Sequence, residues 1–133
     1  MWRSRIIAPA LALGLMASGA GAEVGADLTT EEIAGFREAV LACWSVPPRS
    51  PEARIAVTLA FAMDRAGRPR AETIRLTGQK GGASSAEIAL AFDNARHALL
   101  RCGGEGYALP VEKYENWKNI VMEFVPLHEL TER

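Results

Sequence analysis

The sequence predicts a small α+β domain, with helices packed on one face of an antiparallel sheet of about three strands. Three observations carry that expectation. There are two complete helix-start signals, one long stretch in which large apolar residues alternate with small ones, and a turn sequence that folds this stretch back onto a second strand.

The first helix announces itself at Leu28-Thr29-Thr30-Glu31-Glu32-Ile33. Thr29 can cap the helix, Glu32 can reach back to close a capping box, and Leu28 can staple onto Ile33. Ile33, Phe36, Val40 and Cys43 follow at helical spacing with Trp44 beside them, until Pro47, Pro48 and Pro51 end the helix. From Arg54 the period changes to two. Ile55, Val57, Leu59, Phe61 and Met63 then share one face, and Ala56, Thr58, Ala60 and Ala62 the other.

Asp64-Arg65-Ala66-Gly67 is a type I turn sequence, and Pro69 precedes a second strand predicted over residues 71–77, with Ile74 and Leu76 facing inward. Gly78-Gln79-Lys80-Gly81-Gly82 reads as a flexible connection. Ser84 or Ser85 opens a second helix, with Glu87 completing its capping box and an apolar stripe of Ile88, Phe92, Ala95, Leu99 and Cys102. Gly103-Gly104 stops it. A short helical turn after Pro110 carries Tyr114 and Trp117, and a last strand is predicted over residues 119–125. The order is α-β-β-α-β.

Residues 1–22 give the expected compartment. Met1-Trp2-Arg3-Ser4-Arg5 is a basic start, an apolar run covers residues 6–17, and Ala20-Gly21-Ala22 fits the pattern a signal peptidase cuts after. The expectation is a cleaved signal peptide, a mature N-terminus at Glu23 and a periplasmic location. An uncleaved anchor is the competing reading. Pro9 and the dilution into Ser, Gly and Ala oppose it, since a bilayer span needs about 20 strongly apolar residues. The expected mature chain, residues 23–133, is one domain with no later membrane span. It carries thirteen basic and sixteen acidic residues, a net charge of −3, interspersed along the chain. A basic stripe for nucleic acid is absent from this sequence.

Cys43 and Cys102 are the two cysteines, each closing the apolar stripe of its helix. Two inward cysteines in a small exported domain are expected to pair. Without a matching pair of histidines they make a poor zinc site, and no metal or cofactor is expected. Lys80 sits before Gly81 rather than directly before Ser or Thr, so the glycine-rich stretch lacks Walker spacing. Asp93 and His97, one turn apart on the second helix, read as a solvated pair with no nucleophile beside them. Trp44 and Trp117 read as packing, while Tyr107 and Tyr114 stay open as partner contacts. No catalytic constellation emerges, and the expectation is a binding domain rather than an enzyme.

The hairpin makes the first two strands neighbours, so the last strand can join only on an outer side. Ile120, Val121, Met122, Glu123, Phe124 and Val125 are therefore the candidate partner-binding edge. Ile120, Met122 and Phe124 should face the helices, and Val121, Glu123 and Val125 should point away.

Over residues 28–126 the chain resembles the C-terminal periplasmic domain of TolA, within the TonB/TolA C-terminal group. The resemblance lies in the order of Cys43-Trp44, Pro47-Pro48, the Asp64-to-Pro69 hairpin, Phe92-Asp93, Leu109-Pro110, Tyr114, Trp117 and Phe124-Val125-Pro126. It implies a non-enzymatic domain of the Tol–Pal system, serving envelope integrity and outer-membrane constriction at division. It also implies TolB-like or Pal-like partners and recognition partly by strand addition. The family pattern places an inner-membrane helix and a long shaft before this domain. Only residues 23–27 stand between the expected cleavage site and the domain here, which fits an adaptor, a competitor or a free paralogue. A TonB-type domain for outer-membrane transporters is the alternative within the group, and a secreted enzyme inhibitor the alternative outside it.

Overall fold

Capping chemistry sets where both long helices begin. In the computed structural model, which describes residues 27–81 and 84–126, α1 (Thr30–Leu41) starts with a reciprocal pair. Thr29 Oγ1 accepts the Glu32 N–H at 3.0 Å, and Glu32 Oε1 accepts the Thr29 N–H at 2.8 Å. Ser84 and Glu87 repeat this arrangement at the start of α2 (Ser85–Cys102), with both bonds at 3.2 Å. The expected signal peptide and the C-terminal His128 lie outside the described residues.

The end of α1 corrects the sequence expectation. The helix stops at Leu41, and Cys43 and Trp44 lie in a tightened turn whose N–H groups bond to Val40 O and Leu41 O, each at 3.1 Å. Cys43 is thus past the helix rather than on its stripe. Cys102 is the last residue of α2, and the two form a disulfide with Cα atoms 5.9 Å apart.

Three strands make one antiparallel sheet: β1 (Ala56–Ala62), β2 (Arg75–Lys80) and β3 (Asn119–Phe124), in the order β2-β1-β3. A single turn of 3-10 helix (Pro51–Arg54) leads into β1, and another (Val111–Lys113) followed by α3 (Tyr114–Trp117) leads into β3. At the β1–β2 turn, Asp64 Oδ1 accepts N–H groups of Ala66 and Arg68, both at 2.9 Å. The Gly67 N–H closes the turn on Asp64 O at 3.0 Å. Gly67 has φ 84°, and a Cβ there would collide with the Tyr107 carbonyl, so this position requires glycine.

β2 starts and ends later than its sequence suggests. Residues Ala71–Thr73 form a 3-10 turn, because the Thr73 hydroxyl accepts the Ala62 N–H at 2.9 Å and donates to Arg70 O at 2.7 Å. The strand then runs through Gly78, Gln79 and Lys80, which pair with Thr58, Val57 and Ala56. Their composition signals a loop, but the ladder to a central strand supplies main-chain partners that override weak strand propensity. Thr77 is an extra residue in the register, since Thr58 faces Gly78 while Leu59 faces Leu76. Leu76, expected inside, is 37% exposed, because it lies on an edge strand with a neighbour on one side only.

All five large residues of the predicted inner face, Ile55 to Met63, are buried. Ala56 and Ala60 on the other face are buried as well. Ala60 sits between Arg75 and Val121 in the ladders, and a side chain that small is shielded by longer neighbours. The core-facing stripe of α2 is Ala91, Ala95, Ala98 and Leu99, whereas Ile88 and Phe92 are only half-buried. Ala95 and Leu99 of the expected stripe are fully buried and Phe92 and Cys102 pack at the margin of the core, so the face is the expected one turned toward Ala91 and Ala98. The sequence carries a fold that is α+β with helices and a three-stranded antiparallel sheet, as its class predicts.

The disulfide joins residues 59 apart in sequence and closes a loop that contains β1, β2 and α2. Cys102→Ser should lower the unfolding free energy by about 2–5 kcal/mol, mainly by freeing the unfolded chain. Denaturant titration without reductant measures this, and an unchanged midpoint contradicts the stabilising role.

Candidate functional site: the β3 edge

β3 owes its two faces to strict alternation. Ile120, Met122 and Phe124 are buried, while Val121 is 50% exposed and Asn119 is exposed. The strand ends at Phe124, one residue short of the predicted boundary. Trp44 packs edge-on against Phe124 with ring centroids 5.3 Å apart. The approach to β3 is held by Trp117, fully buried, whose indole N–H donates to Pro110 O at 2.7 Å.

The ladder fixes which main-chain groups of β3 look outward. The Met63 N–H donates to Lys118 O at 2.8 Å, which puts this pair, just beyond the ladder, on the bonded parity. In an antiparallel ladder bonded and non-bonded pairs alternate. With Phe61 facing Ile120, Leu59 facing Met122 and Val57 facing Phe124, those pairs are the bonded ones. The N–H and C=O groups of Asn119, Val121 and Glu123 therefore point away from β1. Among the described residues no strand lies on that side.

The two edges of the sheet differ. β2 is interrupted by the extra residue Thr77, carries Gly78, and presents Arg75 and Lys80. A bulge and charge of this kind blunt an edge. β3 is in unbroken register with β1 over six residue pairs. Its one charge is Glu123, which lies 3.8 Å from Lys80 across the sheet. The Lys80 side chain is mostly in solvent and that of Glu123 partly so, and at this separation the ion pair contributes little.

The tyrosines do not add to this surface. Tyr107, a candidate contact by sequence, is only 5% exposed. Its hydroxyl donates to Leu99 O at 2.6 Å, its ring meets Phe36 edge-on at 4.9 Å, and burial pushes its phenol pKa up. It is a packing residue, and because it follows glycines rather than a periodic run, no local pattern marks its direction. Tyr114 is half-buried, donates to Met63 O at 2.7 Å, and is covered by the Arg65 guanidinium 4.7 Å from the ring centroid. Asp93 and His97 are both exposed on α2. Lys80 lies within β2 rather than in a loop.

Among the described residues, no three or more His, Cys, Asp or Glu side chains lie together as a metal site would require. No helix among them is long and apolar enough to cross a membrane. Comparison with known proteins found no matching family model, no similar curated protein and no similar solved structure.

The main-chain parity of β3 has a direct readout. Proline at Val121 or Glu123 removes an N–H that faces outward, whereas proline at Met122 removes one bonded to Leu59. Val121→Pro and Glu123→Pro should keep native circular dichroism with a modest loss of stability. Met122→Pro should lose about 1–3 kcal/mol more, the cost of the buried Leu59 carbonyl left unpaired. Equal damage from all three contradicts the assigned orientation.

Proposed function

We propose that this chain is a non-enzymatic protein-binding domain of the bacterial cell envelope, which captures its partner by adding a strand to β3. The observation that carries the reading is the open, bulge-free edge at Asn119–Phe124, with outward main-chain groups at Asn119, Val121 and Glu123. Strand addition draws its affinity from such groups and its specificity from alternate side chains. Glu123 in mid-edge discourages indiscriminate pairing while leaving the main chain free for a matched strand.

The envelope location is supported by the signal-peptide pattern of residues 1–22 and by the Cys43–Cys102 disulfide, a bond that persists in oxidising compartments. The resemblance to the TolA C-terminal domain narrows the partners to TolB-like or Pal-like envelope proteins. In that role the domain contributes to envelope integrity and to constriction at division.

Reversible crosslinking in periplasmic extract, followed by affinity measurement on the captured protein, tests the proposal. A TolB-like or Pal-like protein is the expected capture; a TonB-dependent transporter would reassign the domain to transport, and a hydrolase would make it an inhibitor. Val121→Pro and Glu123→Pro should each weaken binding by about tenfold, the worth of one or two main-chain hydrogen bonds. Normal binding by both folded variants rules out strand addition at this edge.

A further inference from the structure

The outward N–H and C=O groups of β3 belong to three residues, one at every second position: Asn119, Val121 and Glu123. That arrangement has a property of its own. A two-fold axis normal to the sheet at Val121 places Val121 opposite Val121 of a second copy, and Asn119 opposite its Glu123. Every outward donor then meets an acceptor. We infer that β3 pairs antiparallel with β3 of a second copy of this chain, in the register centred on Val121. The inference rests on the reading of this edge as an acceptor of strands, and names one such strand.

Side-chain chemistry selects the same register. Val121, half exposed in one copy, gains a β-branched neighbour directly across the junction. The Glu123 carboxylate faces the Asn119 amide of the second copy, a donor it can bond. Centring on Glu123 instead would oppose two carboxylates, which destabilises a cross-strand pair. Centring on residue 120 or 122 would leave one of the three outward positions without its counterpart. On the helix face, Ile120 comes opposite Met122 of the second copy, so the covered side of the junction is apolar. The product is one continuous sheet with both copies' helices on the same face, closed by an isologous interface. The same surface would be shared between self-pairing and partner capture, so the two compete.

Sedimentation equilibrium of the exported, disulfide-bonded chain over a concentration series tests this. The wild type should show a reversible monomer–dimer equilibrium. Val121→Lys and Val121→Glu each put like charges across the two-fold axis, and each alone should weaken the dimer by about tenfold or more. Mixing the two variants should restore a heterodimer, because opposite charges then meet. Circular dichroism checks that both are folded. A wild type that stays monomeric to millimolar concentration overturns the inference, as does a dimer indifferent to both charges or a mixture that fails to associate. Partner capture by Val121→Pro, measured in parallel, separates the two readings. A monomeric wild type whose capture is lost on Val121→Pro overturns self-pairing alone. A charge-responsive dimer whose capture survives both proline variants upholds self-pairing and overturns the partner reading.

Discussion

The antiparallel ladder between β1 and β3 is the constraint on which the rest of the structure depends. β1 is the central strand, and its main-chain groups are divided by parity: Met63 turns to Lys118 on one side, and Ala62 to Arg70 and Thr73 on the other. The same parity sends Ile55, Val57, Leu59, Phe61 and Met63 to the helix side. A slip of one residue would move that whole set to the opposite face, so burial enforces the register. The register in turn decides which β3 groups remain for a partner.

Long-range clips hold the helices against that sheet. The disulfide ties the turn after α1 to the last residue of α2. At the other end of α1, Glu32 Oε1 accepts both the Thr29 N–H and the Lys113 ammonium, the latter at 3.0 Å, joining the capping box to the turn before α3. The Thr29 backbone N–H, with Lys113 beside it, holds the Glu32 carboxyl below its ordinary pKa. Two hydroxyls, of Tyr107 and Tyr114, close on main-chain carbonyls of α2 and of the residue that follows β1. These contacts leave β3 anchored on one side and open on the other.

Where local chemistry decides structure, the sequence was readable. Thr29 with Glu32, Ser84 with Glu87, the Asp64–Gly67 turn and the alternation of Ile55 to Met63 each specify their element within a few residues. The edge position of the last strand followed from hairpin topology alone. What escaped was decided by tertiary context. Gly78, Gln79 and Lys80 become strand because β1 offers them partners. On α2 the expected Ala95 and Leu99 are buried, but Ala91 and Ala98 take the buried places that apolar periodicity gives to Ile88 and Phe92. Tyr107 turns inward because Leu99 O and Phe36 receive it, and residues so distant in the pattern leave no local trace. The outward parity of Val121 and Glu123 needed one observed bond, from Met63 to Lys118, to settle.

Residue-resolved amide hydrogen exchange, on the dilute domain and on its complex with a captured partner, tests the central claim most directly. With β3 open, the Asn119, Val121 and Glu123 amides should exchange at the rates of exposed peptide while Ile120, Met122 and Phe124 are protected; on complex formation the first three should become protected too. Slow exchange at Val121 and Glu123 in the dilute domain, or no change on binding, would contradict an edge that accepts a strand.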